Sequence, residues 1–170
     1  MWNGPGASTI PPQHFHRTRP RTGRRRGTGD RRRLNRPATN MSLRSRWAFL
    51  MLILAQAAHS TEEYIFRLFD VFAPARFVSS LVSDDLAVGF ALVNAGLVLF
   101  GLWCYAARVR PGHSSGPVFA WLWTVLEFGN GIGHIALALS QGGYFPGVAT
   151  APVLLGVSTY LAVKLSAARS

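Results

Sequence analysis

Apolar residues crowd into four stretches over the later part of the chain, and the breaks between them carry proline and glycine. A helix needs about 20 mostly apolar residues to cross about 30 Å of hydrocarbon. On that measure the pattern predicts four membrane spans, near residues 46–72, 86–108, 117–140 and 147–167. The second is the cleanest, since Leu86 to Val109 carries Asn94 as its strongly polar residue until Arg108. The fourth is Ala, Val and Leu with a late Lys164. Pro74 is expected to end the first helix, Pro111-Gly112 and Gly116-Pro117 to frame a short loop, and Gly142-Gly143-Tyr144-Phe145-Pro146-Gly147 to make the last connection. Between the first two spans, Ala75 to Asp85 alternates apolar and polar residues at near-helical spacing and predicts a small amphipathic helix along the interface. The expected fold class is all-α: an integral membrane bundle of four transmembrane helices preceded by a disordered Arg-rich tail.

Charge divides the chain at the same place. Of 170 residues with net charge +11, the first 47 hold twelve Arg against Asp30, and the rest balances six bases with six acids. Residues 1–43, with Arg24-Arg25-Arg26 and Arg31-Arg32-Arg33 among Gly, Pro and Thr, have too little apolar surface to offset ordering entropy and should be a disordered basic tail. Residues 44–170 form the four-helix domain. Such arginine clusters attract phosphate, which allows a nucleic-acid or anionic-lipid arm. Four hydrophobic spans argue against a nucleic-acid role. Met41-Ser-Leu-Arg-Ser-Arg, followed at once by a hydrophobic helix, resembles a protein start, so residues 1–40 are expected to be translated upstream sequence. A cleaved signal peptide is the other reading, with Ala55 and Ala57 as a small-residue site, but the helical pattern runs past them.

Cations fix an expected orientation. Arg44 and Arg46 precede span one, Arg108 and Arg110 follow span two, and Lys164 and Arg169 end span four, whereas the first loop sets Arg76 against Asp84 and Asp85. Both termini should be cytoplasmic in a multi-pass protein of the cell (inner or plasma) membrane. Cys104 stands alone on an apolar helix, which excludes a disulfide framework and a thiolate metal cluster and reads as a packed small hydrophobe. Trp47, Trp103, Trp121, Trp123 and Tyr144 sit near span ends and read as interface anchors.

The first span holds the chemistry. Its apolar run, Trp47 to Ala58, passes directly into His59-Ser60-Thr61-Glu62-Glu63. Ionisable side chains in hydrocarbon cost roughly 2.5–3.5 kcal/mol each on insertion scales, so they face a bundle interior, pair with one another or serve function. His59, Glu62 and Glu63 at i, i+3 and i+4 share about a 100° arc of one helix face. In the third span Glu127, Asn130 and His134 at i, i+3 and i+7 share an arc of about 60°. Two helices thus each present a carboxylate and an imidazole on one stripe.

Carboxylate and imidazole together suit zinc, iron or manganese. The candidate metal ligands are His59, Glu62, Glu63, Glu127 and His134, with Glu62 and Glu63 as candidate catalytic groups and Asn94 and Asn130 as supports that orient the ligands. Di-metal bundles carry Glu-x-x-His pairs; here the order is reversed in the first span and spaced as Glu-x-x-Asn-x-x-x-His in the third. Without a metal, the same groups would neutralise and hydrogen-bond to one another. Plainer readings stand beside each residue. The first span could end near Ala58, leaving both acids in the headgroup region with Glu63 paired to Arg67. His134 could be a core histidine bonded to Asn130, and Asn94 interhelical glue. Gly129 and Gly133 would permit close helix approach beside the Asn130 and His134 stripe.

His59-Ser-Thr-Glu62-Glu63 is a literal H-x-x-E-E, and the chain resembles the HXXEE domain family of small bacterial membrane proteins. Asn94, the Asn130 to His134 segment NGIGH and the stretch Tyr144 to Thr150 are also similar to that family's pattern, so the likeness covers roughly 45–165. It implies a multi-span membrane domain whose His, Glu and Asn residues form an active or metal site of unassigned role. Glu62-Glu63-Tyr-Ile-Phe-Arg67 is also similar to the E-E-x-x-x-R motif of the CPBP (Abi) intramembrane glutamate proteases, in which a Glu activates water. The chain departs from that family: Phe-x-x-x-His is absent and His-x-x-x-Asn appears reversed, as Asn130-x-x-x-His134.

Two function classes follow. One is a metal-dependent membrane enzyme, a hydrolase or oxidoreductase on a lipid-soluble substrate, with a divalent zinc, iron or manganese ion and the lipid bilayer as its partner. The other is a non-enzymatic bundle using the polar cluster as a proton or ion relay or as a structural hydrogen-bond network.

Overall fold

The structure is a computed structural model that describes residues 1–4 and 41–168. The chain separates into two units, Met1–Arg36 and Pro37–Ser170. Residues 1–4 are exposed and carry no regular structure. Most of the basic segment expected to be a disordered tail, residues 5–40, lies outside the described residues.

Among the described residues all regular structure is helical, in six helices: α1 (Leu43–Ile65), α2 (Leu68–Val71), α3 (Ala73–Ser80), α4 (Leu86–Cys104), α5 (Gly116–Gln141) and α6 (Ala151–Ala167). A π-helical turn, Tyr105–Val109, continues α4. Side-chain caps begin two of them. Ser42 Oγ accepts from Ser45 N at 3.1 Å, and Asp85 Oδ1 accepts from Ala87 N and Val88 N at 2.9 and 3.2 Å. Gly142, in the left-handed region at φ 65°, closes α5.

The first helix stops earlier than its apolar pattern predicts. The chain turns at Phe66 and Arg67, the latter left-handed at φ 54°, and the Arg67 guanidinium donates to Asp70 Oδ2 at 2.5 Å across the turn. Arg67 therefore pairs with Asp70 and not with Glu63. Pro74 does not end this helix; it lies in the first turn of α3, where its missing N–H costs nothing. The amphipathic segment forms α3, slightly before its expected limits. The last helix begins at Ala151, four residues after the expected 147, because residues 147–150 form turns that hold Glu62.

Helix α1 is the central rod, packed on α4 and α6, while α5 packs chiefly along α6. Phe49, Leu52 and Ile53 of α1 meet Trp123, Leu154 and Leu161 in the larger apolar core, which also encloses Cys104. Trp123, expected near an interface, is fully buried there because its indole lies beside Ile53 against Gly101. A second cluster, Leu68, Phe69, Phe90 and Phe145, closes the other end. Gly129 and Gly133 have nothing within 4 Å of a Cβ position, so they do not mediate close approach within the chain. Gly131 does: a Cβ there would stand 3.1 Å from Ala151 O and 2.9 Å from Leu155.

By length and composition, Leu86–Val109 and Gly116–Gln141 could each cross a membrane, and Ala151–Ala167 is apolar but shorter. Leu92, Leu99, Val125, Leu139 and Val163 are among the large apolar side chains on outer surfaces.

Candidate metal centre

His59, Glu62 and Glu63 lie in the last two turns of α1 and are all buried. Although the two glutamates are neighbours, their carboxylates go to different places. Glu62 reaches the segment before α6. Its Oε1 accepts from Tyr144 Oη at 2.5 Å, Gly147 N at 3.1 Å and Ala149 N at 3.0 Å. Its Oε2 accepts from Thr150 N at 2.9 Å and Thr150 Oγ1 at 2.6 Å. Five donors on one carboxylate suit the ionised form. Withdrawal from water, and then the carboxylate it donates to, push the Tyr144 phenol above its ordinary range.

The same segment sets the tautomers of both imidazoles. Thr150 has one hydroxyl proton, for which Glu62 Oε2 at 2.6 Å and the Gly147 carbonyl at 3.3 Å are the acceptors, so the Thr150 oxygen accepts from His59 Nδ1 at 2.7 Å. His134 Nδ1 lies 2.6 Å from the carbonyl oxygen of Pro146, which can only accept. Both rings therefore carry hydrogen on Nδ1 and turn Nε2 inward. Glu63 Oε1 stands 3.0 Å from His134 Nε2 and 3.4 Å from His59 Nε2, and the latter nitrogen is buried with no hydrogen-bond partner among the described residues. The rings meet edge to face with centroids 4.6 Å apart.

Gly147 allows this arrangement. It is left-handed at φ 93°, and a Cβ there would come 2.5 Å from His134 Nδ1 and 2.7 Å from His59 Cε1. Only glycine gives both the backbone conformation and the space.

Two lone pairs facing one carboxylate oxygen require a cation between them, a proton or a metal. Zinc bonds of about 2.0–2.2 Å at angles of about 90–110° set ligand atoms roughly 2.8–3.5 Å apart. The two nitrogen-to-oxygen separations lie in that range, and one donor atom from each of His59, Glu63 and His134 lies within 4.8 Å of the others. The group could hold a metal ion.

The remaining predicted residues lie outside this group. Glu127, on α5 and 2% exposed, is neighboured by Asn130 Nδ2 at 3.5 Å and by the Gln56 amide. Asn94 accepts from Ser60 Oγ at 2.7 Å. His134 bonds to Pro146 and Glu63, not to Asn130. Sequence reasoning missed Gln56 and Ser60, and gave Gly147 and Thr150 no role beyond their place in the stretch that resembles the family pattern. Gln56 and Ser60 do carry a signal, since polar side chains four residues apart in an apolar run mark an inward face.

A model described as a protein of unknown function with HXXEE motif matches residues 50–161. The chain belongs to the HXXEE family. No curated protein and no solved structure matches. The motif's His59 and Glu63 thus converge with His134 of α5, while its Glu62 holds the segment that orients both histidines.

Proposed function

We propose that this HXXEE chain is a multi-span membrane protein whose His59, Glu63 and His134 hold a divalent metal in an enzyme acting on a lipid-soluble substrate. The apolar outer faces of α4, α5 and α6 support four spans, with α1 turning Gln56, His59, Glu62 and Glu63 inward and Trp47, Met51 and Leu54 outward. The cations at Arg44, Arg46, Arg108, Arg110 and Lys164 support cytoplasmic termini.

One observation carries the metal reading: both imidazoles are committed at Nδ1 and turn Nε2 toward the same Glu63 oxygen. Two histidines and one glutamate are the donor set of zinc hydrolases and of non-haem iron sites, both of which leave a position for water or substrate. A metal there supplies Lewis acidity toward a carbonyl or phosphoryl oxygen. The chain's own groups orient and enclose. Glu62, through Thr150, holds His59; the Pro146 carbonyl holds His134; and Gly147 closes the Nδ1 side. The residual exposure, 7% for the side chains of Glu63 and His134 against none for His59, marks the open side.

Metal analysis of protein purified in detergent tests this. One equivalent of zinc, iron or manganese, lost in Glu63→Gln and His134→Ala, supports it. Metal-free protein that takes up none when offered it favours the other reading, a proton relay, for which the polar chain through Gln56 and Ser60 is the supporting feature.

A further inference from the structure

A chain of hydrogen bonds crosses from α4 through α1 to α5, and a backbone carbonyl sets its direction. Asn94 Nδ2 donates to Phe90 O at 3.0 Å, which fixes that amide and presents its Oδ1 to Ser60. Ser60 therefore spends its one proton on Asn94 Oδ1, at 2.7 Å. The Ser60 oxygen is then an acceptor, and the Gln56 atom 3.0 Å from it is Nε2. Gln56 Oε1 is left facing α5, where it accepts from Asn130 Nδ2 at 3.4 Å and lies 2.5 Å from Glu127 Oε2.

Two oxygens at that separation need a proton between them, and an amide oxygen cannot supply one. We infer that Glu127 is a neutral carboxylic acid that donates its proton to Gln56. Turning the Gln56 amide would satisfy an ionised Glu127, since its nitrogen would then face the carboxylate. The amide oxygen would then compete for the Ser60 proton, leaving Asn94 Oδ1 with no donor or turning that oxygen onto Phe90 O. An amide oxygen left half-buried without a protein donor is costly. The protonated arrangement gives Asn94 Oδ1, Ser60 Oγ and Gln56 Oε1 each a donor.

Glu127 is thus a stored proton on the helix that carries His134. Its hydrogen-bond partners are Gln56 and Asn130 and none of the three clustered donors. The other carboxylates near this part of α1 are Glu63, set between the imidazoles, and Glu62, held by the 144–150 segment. Losing the proton would reverse Gln56 and Ser60 and release Asn94 Oδ1 toward the groove between α1 and α4, a cavity of about 290 Å³ lined by Ser60, Asn94, Ala57 and Phe90.

Infrared spectroscopy of full-length protein in lipid tests this independently of any metal. The expected spectrum at neutral pH contains the carbonyl stretch of a protonated carboxylic acid, shifted by deuteration, lost in Glu127→Gln and kept in Glu62→Gln. Absence of the band in the wild type, or its survival in Glu127→Gln, overturns the inference. Should Glu127→Gln not fold, Ser60→Ala gives a second reading. Cutting the chain frees Gln56 to turn, so the band weakens, and an unchanged band counts against the inference.

Discussion

Glu62 and Glu63 are consecutive on α1, yet one carboxylate is filled by five donors from residues 144–150 and the other stands between two imidazoles. One helical step turns the side chain by about 100°, enough to aim adjacent acids at different neighbours. The motif therefore pairs a structural carboxylate with a candidate ligand.

Glu62→Gln should show the structural half. An amide brings its own donors against Thr150 N or the Gly147 and Ala149 amides, at a cost of roughly 3 kcal/mol. Unfolding in detergent should report that loss in metal-free protein, where Glu63→Gln has a smaller effect, and limited proteolysis should cut between α5 and α6 more readily in Glu62→Gln.

Thr150→Val keeps the shape but removes the acceptor for His59 Nδ1. Losing such an orienting contact typically lowers metal affinity by about 10–100-fold. Competition with a chelator measures this. Thr150→Ser, which keeps the hydroxyl, should restore most of the affinity.

Gly147→Ala places a methyl group on both imidazoles in a backbone conformation that itself costs about 1–3 kcal/mol. The expected result is loss of metal together with a lower unfolding temperature. Gly143→Ala in the same connection has open space around it and should leave metal binding unchanged.

Alkaline titration should reveal the Tyr144 contact. Its phenol is held above the ordinary value by withdrawal from water and by Glu62, so the folded state keeps a proton that the unfolded state releases near pH ~10. The stabilisation is complete below that pH and declines as pH rises beyond it. The stability gap between wild type and Tyr144→Phe should accordingly narrow above pH ~10.

The i, i+4 spacing of His59 and Glu63 and the α5 stripe ending in His134 were legible as a shared site because helical periodicity alone aligns them. The division of labour between Glu62 and Glu63 was not, since both lie within one arc and the deciding contacts are main-chain N–H groups of Gly147, Ala149 and Thr150, which no side-chain pattern marks. The early end of α1 was also hidden. Ile65, Phe66, Leu68 and Phe69 continue an apolar pattern, and nothing in it marks the left-handed turn at Arg67. Glu127 and Asn94 were each legible as polar residues on apolar helices, but their connection runs through Gln56 and Ser60, visible only once α1 lies between α4 and α5.

X-ray absorption at the metal edge of zinc- or iron-loaded protein tests the central claim most directly. The account predicts two imidazole nitrogens and one carboxylate oxygen at about 2.0–2.2 Å, with one nitrogen shell lost in His134→Ala. A metal surrounded by oxygen alone, or the same imidazole shell in His134→Ala, would contradict it.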